Sequence, residues 1–324
     1  MFASFEDYLL KVRPQVDDVF KNQLSGLIGN DDGEWTYAIL ANLKGGKRIR
    51  GCLLCLICNA LGSPLEPAIP RAVAIELIHC ASLIHDDFVD QDTSRRGLPA
   101  TWTLEGARRA VLLGDLIFAS AIERMSALGR EDGLVVAGAI ANISKGAFHE
   151  ETDPRKMAGK IRSGSFDGSI YERIIRLKTG ILFGAACRLG GVAAGAENDV
   201  KESLFRYGLR IGEAYQVADD LKDVRNQIAR GFIHPNEMTV IAPALFSFLK
   251  GARRLALVLE RAYPQMDDEV MEYLKTAENL MENDIKRRLD SIASEIPPAL
   301  FENGYGALLR RVPSDMIAIF EKTC

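Results

Sequence analysis

The chain is poor in several features that would assign it to a class at once. Its six cysteines are widely spread over 324 residues, so no disulfide framework stands out and a reducing cytoplasm is the expected setting. The opening stretch MFASFEDYLLKVRPQVDDVF carries acids where a signal or transit peptide avoids them, so neither is expected. No apolar run reaches the ~18 residues that a bilayer-crossing helix needs, which predicts no transmembrane segment. Basic excess is missing too. A net charge of −4 gives no electrostatic case for nucleic acid as the partner. Strand-like alternation is scarce, and neither G-x-x-x-x-G-K nor G-x-G-x-x-G is evident in a strand–turn–helix context, which sets aside the common nucleotide-binding sheets.

What is present is helical period. Apolar residues recur at spacings of three and four through 73–90, 107–128, 134–151, 171–191, 202–224 and 269–292, the signature of helices with buried faces. Several of these stretches are apolar nearly all round, so they belong in the centre of a bundle. Short Gly, Pro, Asn and Asp clusters punctuate the joins, and nothing reads as an interdomain linker. The expectation is one all-α domain over 1–324 with about ten or more helices. The polar stretch HEETDPRKMAGKIRSGSFDG (149–168) reads as a surface loop.

Two acid clusters carry the chemistry. LIHDDFVDQDTSRRG (83–97) holds Asp86, Asp87 and Asp90. At about 100° per helical residue, Asp90 falls about 40° from Asp86 and His79 about 20° from it, so all three share a face with Asp87 at its edge. GEAYQVADDLKDV (212–224) repeats the pattern with Asp219, Asp220 and Asp223, and Gln216 stands one turn before Asp220. One such string alone is as readily a solvated helix end; the pair changes the balance. Facing carboxylates ~6 Å apart at an effective dielectric of ~20 repel by roughly 3 kcal/mol per pair, a cost that a marginally stable domain bears only if a cation removes it. Oxygen donors suit Mg²⁺, which keeps waters and binds one or two carboxylates together with substrate phosphates. The substrate class is therefore a phosphate or diphosphate.

Cations fit that reading. LKGGKRIRG (43–51) places Lys44, Lys47, Arg48 and Arg50 around a glycine pair that lets backbone approach an anion. Arg95 and Arg96 follow the first acid trio, and Arg forks hold phosphate bidentately. Lys178 and Thr179 interrupt an otherwise apolar helix. Taken singly, the basic loop reads equally as solvated surface, and Lys178 as a snorkelling side chain.

Taken in order, GGKRIR, IELIHCASLIHDDFVDQDTSRRG, VLLGDLIFASA, KTGILF and GEAYQVADDLKD resemble the trans-isoprenyl diphosphate synthases, the polyprenyl synthetase family, and most closely its geranylgeranyl diphosphate synthase type. The resemblance implies a helical bundle around a deep central cavity, a homodimer, and Mg²⁺-dependent condensation of isopentenyl diphosphate with an allylic diphosphate. It implies Asp86, Asp90 and Asp219 as principal magnesium ligands, with Asp87, Asp220 and Asp223 in support. Arg95 and Lys178 would hold the allylic diphosphate. Lys47, Arg50, His79 and Arg96 would hold isopentenyl diphosphate. Thr179 and Gln216 would aim oxygen dipoles at the allylic cation. Ala81 and Ser82 are small where bulky aromatics close the cavity early, which implies a product of geranylgeranyl length or longer, and Phe118 is a candidate floor that reads equally as core.

The chain departs from the family pattern in two places. Gly51 follows Arg50 where the family has Pro, and Asn236 and Glu237 stand where a lysine is expected after the second acid motif. Two other readings stay open. A class I terpene cyclase shares the first acid motif but should carry Ser/Thr and Glu in its second, where this chain has DDLKDVRNQ. A non-catalytic synthase subunit would be expected to have lost acids that are all kept here. Cys52, Cys55 and Cys58 mimic an iron–sulfur string, but their Leu and Ile neighbours make them small core residues. His85 is expected to steady Asp86, and His149 with Glu150 and Glu151 reads as solvated loop.

Overall fold

The computed structural model describes residues 2–27, 46–151, 153–231, 235–249, 253–260, 267–296, 300 and 304–321. In chain order the helices are α1 (Phe5–Leu27), α2 (Ile49–Ala60), α3 (Ala68–Val89), α4 (Thr101–Glu105), α5 (Ala107–Leu128), α6 (Arg130–His149), α7 (Pro154–Arg162) and α8 (Ile170–Ile174). A π-helical segment, Ile175–Gly180, follows, then α9 (Ile181–Ala193), α10 (Asn198–Arg230), α11 (Pro235–Phe248), α12 (Arg253–Glu260), α13 (Asp268–Ile292) and α14 (Gly304–Glu321). A two-stranded antiparallel hairpin, β1 (Ser94–Arg95) with β2 (Leu98–Pro99), sits between α3 and α4. The all-α expectation holds.

Two apolar clusters divide the bundle. The larger joins α1, α2, α3, α5, α6, α9, the first half of α10 and α14. The smaller joins α7, α8, the second half of α10, α11, α12 and α13. Helix α10 runs through both, passing from the larger to the smaller between Ala214 and Val217, just before its acid trio. Cys52, Cys55, Cys58, Cys80 and Cys187 are buried as free thiols. Burial pushes Cys55 up to about 12 and Cys58 up to about 11, so these are protonated apolar fillers.

Two expectations need correction. Residues 154–162 are helical, not loop: Asp153 caps α7 by accepting from the amides of Arg155 and Lys156, and Pro154 occupies the first turn. Met157, Ala158 and Ile161 are buried on its inner side. The D-P pair was the legible start signal. Second, α3 is long and apolar enough to cross a membrane by length and composition, with a window of mean hydropathy 1.3. Here 61% of that window is buried inside the bundle, and the helix serves as core.

Glycines set how closely α9 and α10 approach. A Cβ at Gly212 would stand 2.7 Å from the Cα of Gly180, nearer than packed carbons come. That close seam brings the π segment, with Lys178 and Thr179, against Gln216 and Asp219 on α10.

Candidate active site

The first acid trio splits in the structure. Asp86 is half-buried and Asp90, at the end of α3, is exposed, whereas Asp87 is buried. Arg95 on β1 donates to Asp87 Oδ1 from Nε at 2.5 Å and also reaches it from Nη2. The Oδ2 of Asp87 is buried with no protein donor. The hairpin that delivers Arg95 turns through Arg96 and Gly97, both in the left-handed region at φ 54° and 75°. Such a turn matches the twist of a tight hairpin. Arg48 at φ 53° and Gln91 at φ 58° are the other described non-glycine residues in that region. All three flank the site, where stored backbone strain commonly serves function.

The second trio splits the same way. Asp219 and Asp223 are half-buried and Asp220 is buried. Tyr171 on α8 donates from its hydroxyl to Asp220 Oδ2 at 2.7 Å, and Gln216 Nε2 donates to Asp220 Oδ1 at 3.0 Å. Thr179 Oγ1 donates to Gln216 Oε1 at 2.5 Å. Asp87 and Asp220, expected among the metal ligands, thus stand in the interior with protein donors already on them. They brace the trios from behind, because a buried carboxylate needs partners that water cannot supply.

Lys178 stands between the motifs. Its Nζ lies 3.0 Å from Glu150 Oε2, at the end of α6. Burial works to lower the Lys178 pKa, but Glu150, Asp86 and Asp90 outweigh it and raise it. Burial raises Asp86 and pushes Asp90 up to about 6, with Lys178 opposing in both. Burial raises Asp219 too, against the charges of Lys222, Lys178 and Arg50 and a Gln216 hydrogen bond. One ammonium therefore acts on acids of both trios. Glu150 was set aside with its neighbours as solvated loop, and only the chain's return to Lys178, 28 residues later, reveals it.

The residues expected to hold isopentenyl diphosphate, Lys47, Arg50, His79 and Arg96, gather in one cavity of about 460 Å³ that Arg48 and Tyr215 also wall, whereas Arg95 and Lys178, expected on the allylic diphosphate, are not among its lining residues. Arg50 lies over the Phe183 ring at 4.4 Å, and its Nε is buried with no acceptor. Burial and the charges of Arg50, Arg96, Arg95 and Arg48 hold the His79 pKa well below its usual value, which favours the neutral ring while no anion offsets those charges. Arg48 is anchored by Asp17 at 2.7 Å, and Glu76 accepts from the Gly51 amide at 2.8 Å, which fixes the basic loop between α1 and α3. The Lys47 ammonium donates to the carbonyl of Ile319, in the last turn of α14, at 2.9 Å. Phe320 packs on Tyr215 with ring centres 5.1 Å apart, closing that end of the cavity.

Ala81 is buried, and the Ser82 hydroxyl is turned back to the His79 carbonyl at 2.9 Å. Phe118 meets His85 edge-on at 5.5 Å. His85 faces α5, not Asp86: its Nε2 lies 3.0 Å from the Val111 carbonyl, above Gly114, where any Cβ would collide with the ring. Lys44 and the Asn236 and Glu237 side chains lie outside the described residues.

Among the described residues, no three His, Cys, Asp or Glu side chains converge into a ready-made metal cage. Magnesium in a phosphate site takes only one or two carboxylates and completes its shell with water and substrate oxygens. Asp86, Asp90 and Asp219 offer hard oxygen donors whose ionised forms burial disfavours, a penalty that a bound cation would relieve.

The polyprenyl synthetase family model matches residues 34–230, well over half of the chain and ending where α10 ends. A geranylgeranyl diphosphate synthase of Methanosarcina mazei is 35% identical over 187 residues, covering 56% of this chain and 55% of its own length. Heptaprenyl diphosphate synthase component 2 of Geobacillus stearothermophilus is 33% identical over 224 residues, covering 69% of this chain and 66% of its own. The chain thus spans a little over half to about two thirds of these relatives' length. Among solved structures, a decaprenyl diphosphate synthase from Rhodobacter capsulatus superposes with a TM-score of 0.77 at 23% identity, over 97% of this chain and 99% of that one. A polyprenyl synthase from Caulobacter crescentus, complexed with calcium and isoprenyl diphosphate, gives 0.71 at 24%, over 98% and 99%. These structural likenesses establish the fold, and the family match establishes membership: the chain belongs to the polyprenyl synthetase family.

Proposed function

We propose that the chain is a Mg²⁺-dependent trans-prenyltransferase that condenses isopentenyl diphosphate with an allylic diphosphate, giving an all-trans prenyl diphosphate of geranylgeranyl length or longer. The observation that carries this reading is Lys178, whose charge acts on Asp86, Asp90 and Asp219 together, beside a cavity walled by Lys47, Arg48, Arg50 and Arg96.

In this reading the cation-walled cavity takes isopentenyl diphosphate, and the unpartnered Arg50 Nε gains its acceptor from that anion. The allylic diphosphate lies toward Lys178, with Asp86, Asp90 and Asp219 as the residues that hold magnesium. When bound, magnesium neutralises charge on the departing diphosphate. Lys178 adds a fixed positive charge at the leaving group, in a half-buried place where it acts more strongly than in water. Thr179 and Gln216 present oxygen to the carbon that becomes positive. Small residues at Ala81 and Ser82 leave room for a long tail.

The homodimer is part of the proposal. Leu112 and Leu116 on α5, with Leu134 and Phe148 on α6, are exposed on adjacent helices, an apolar surface that a second copy would cover. A cytoplasmic setting is proposed from the free, buried thiols. Light scattering should give twice the chain mass, and cell fractionation should place the protein in the soluble cytoplasmic fraction.

The deciding experiment incubates the protein with Mg²⁺, isopentenyl diphosphate and a series of allylic primers and weighs the products. Elongated diphosphates support the reading, and no elongation with any primer overturns it. A free hydrocarbon or alcohol would point to a cyclase. Ala81→Phe should shorten the product by at least one isoprene unit, and an unchanged product removes Ala81 from the length argument.

A further inference from the structure

Tyr171, Asp220, Gln216 and Thr179 form one line of hydrogen bonds, at 2.7, 3.0 and 2.5 Å in that order. Tyr171 precedes the π segment and Thr179 lies within it, so the line ties both sides of the widened turn to α10. Tyr171 and Asp220 are buried, and water cannot stand in for either partner.

The line has a polarity. Both Asp220 oxygens accept in this line, Oδ2 from the Tyr171 hydroxyl and Oδ1 from the NH₂ end of Gln216. The Gln216 oxygen then faces Thr179 and takes the Thr179 proton. What Thr179 has left is lone pairs, the negative end of its dipole. With the amide turned over, Gln216 would donate to Thr179, and the hydroxyl would be free to point its proton outward. For a carbon that becomes positive next to Lys178, the first arrangement stabilises and the second repels. The sign of the Thr179 dipole is therefore decided at Asp220, and Tyr171 keeps Asp220 in place by occupying its other oxygen.

We propose that Tyr171 is a positioning residue for the cation-facing oxygen of Thr179, acting through Asp220 and Gln216. It rests on the prenyltransferase reading for the nature of the positive carbon. Tyr171→Phe removes the hydroxyl and keeps the ring, which packs against Phe248 at 5.7 Å. Loss of one buried hydrogen bond should lower kcat about tenfold, with both KM values nearly unchanged. In a Thr179→Val background the same change should add almost nothing, since the oxygen it aims is gone. A binding test stands apart from turnover. Calorimetry with pyrophosphate present compares an allylic analogue carrying an ammonium at the reacting position with its neutral isostere. The preference of the wild type for the ammonium analogue should fall about tenfold in Tyr171→Phe, which a purely structural role would not do, because it would weaken both analogues alike.

Should Tyr171→Phe not fold, Asp220→Asn gives Gln216 a partner able to donate as well as accept and should cause the same loss of preference. Unchanged kcat and preference, or a full tenfold loss in the Thr179→Val background, overturns the proposal and leaves the function standing. A wild type that elongates nothing yet shows a Tyr171-dependent preference overturns the function and keeps the proposal. A wild type that binds neither analogue and elongates nothing overturns both.

Discussion

In the first acid trio the inward carboxylate, Asp87, is held by a charged partner, Arg95, delivered on a strained hairpin. In the second, Asp220 is held by the neutral donors Tyr171 and Gln216, delivered on helices. The same letters, D-D-x-x-D, thus sit on two kinds of support. An arginine can trade a carboxylate for a diphosphate oxygen, since both fit its fork. A tyrosine hydroxyl and an amide locked between two partners have no such exchange open to them. Under the proposed function, the first trio can respond to the arrival of a diphosphate, while the second keeps a fixed frame.

The largest effects test what the trios share. Asp86→Ala and Asp219→Ala should each lower turnover by about 10³-fold or more, as expected for loss of a principal charge-stabilising contact at the leaving group. Melting temperatures should stay close to that of the wild type, because both side chains are only partly buried. Product formation at saturating Mg²⁺ checks the claim. Activity kept in either variant would remove that trio from the metal site.

The next effect separates the supports. Asp87→Asn leaves Arg95 facing a neutral group. Removing one member of a buried ion pair costs about 3–5 kcal/mol, and Arg95 is partly solvated, so about 2 kcal/mol is expected. Asp220→Asn keeps one donor and one acceptor in place, and about 1 kcal/mol is expected. Urea unfolding of the two variants measures the difference. Equal costs would show that the charge on Arg95 adds nothing to the brace.

The sequence made some of this legible and hid the rest, for physical reasons. Helical period exposed the bundle because burial on one face leaves a repeating mark. The same geometry put His79 on the face of Asp86, and the structure has His79 in the cavity wall. Order along the chain also brought Lys47, Arg50 and Arg96 into one reading, and they line one cavity. Which acid of a trio turns inward was not legible. Asp86 and Asp87 are adjacent letters, and their fates depend on Arg95 arriving from a hairpin eight residues on. Glu150 and Tyr171 carried no local mark, because each gains its role from a partner on another helix. The π segment was hidden as well, since one wide turn barely disturbs an apolar pattern. The D-P start of α7 was visible in the letters and was outweighed by their polarity.

The smallest effect is a pH dependence. Burial pushes Asp220 up to about 7, against the pull of its Tyr171 and Gln216 hydrogen bonds, while an unfolded Asp titrates near about 3.9. Between about pH 4 and 7 the metal-free folded state thus keeps a proton that the unfolded state has released. The stability tied to this group is full below about pH 4 and is lost as pH rises through about 7. Asparagine does not titrate, so metal-free wild type should lose stability relative to Asp220→Asn across that window. His79, whose lowered pKa slopes the other way, is common to both proteins and cancels. Asp90 gives the counterpart in the first trio. It is pushed up only to about 6, and the residue is exposed, so water screens most of the effect. Comparison with Asp90→Asn should show the same sign, an upper edge near pH 6 and a smaller amplitude. A larger amplitude at Asp90 than at Asp220 would reverse the assignment of the second trio as the more deeply buried frame.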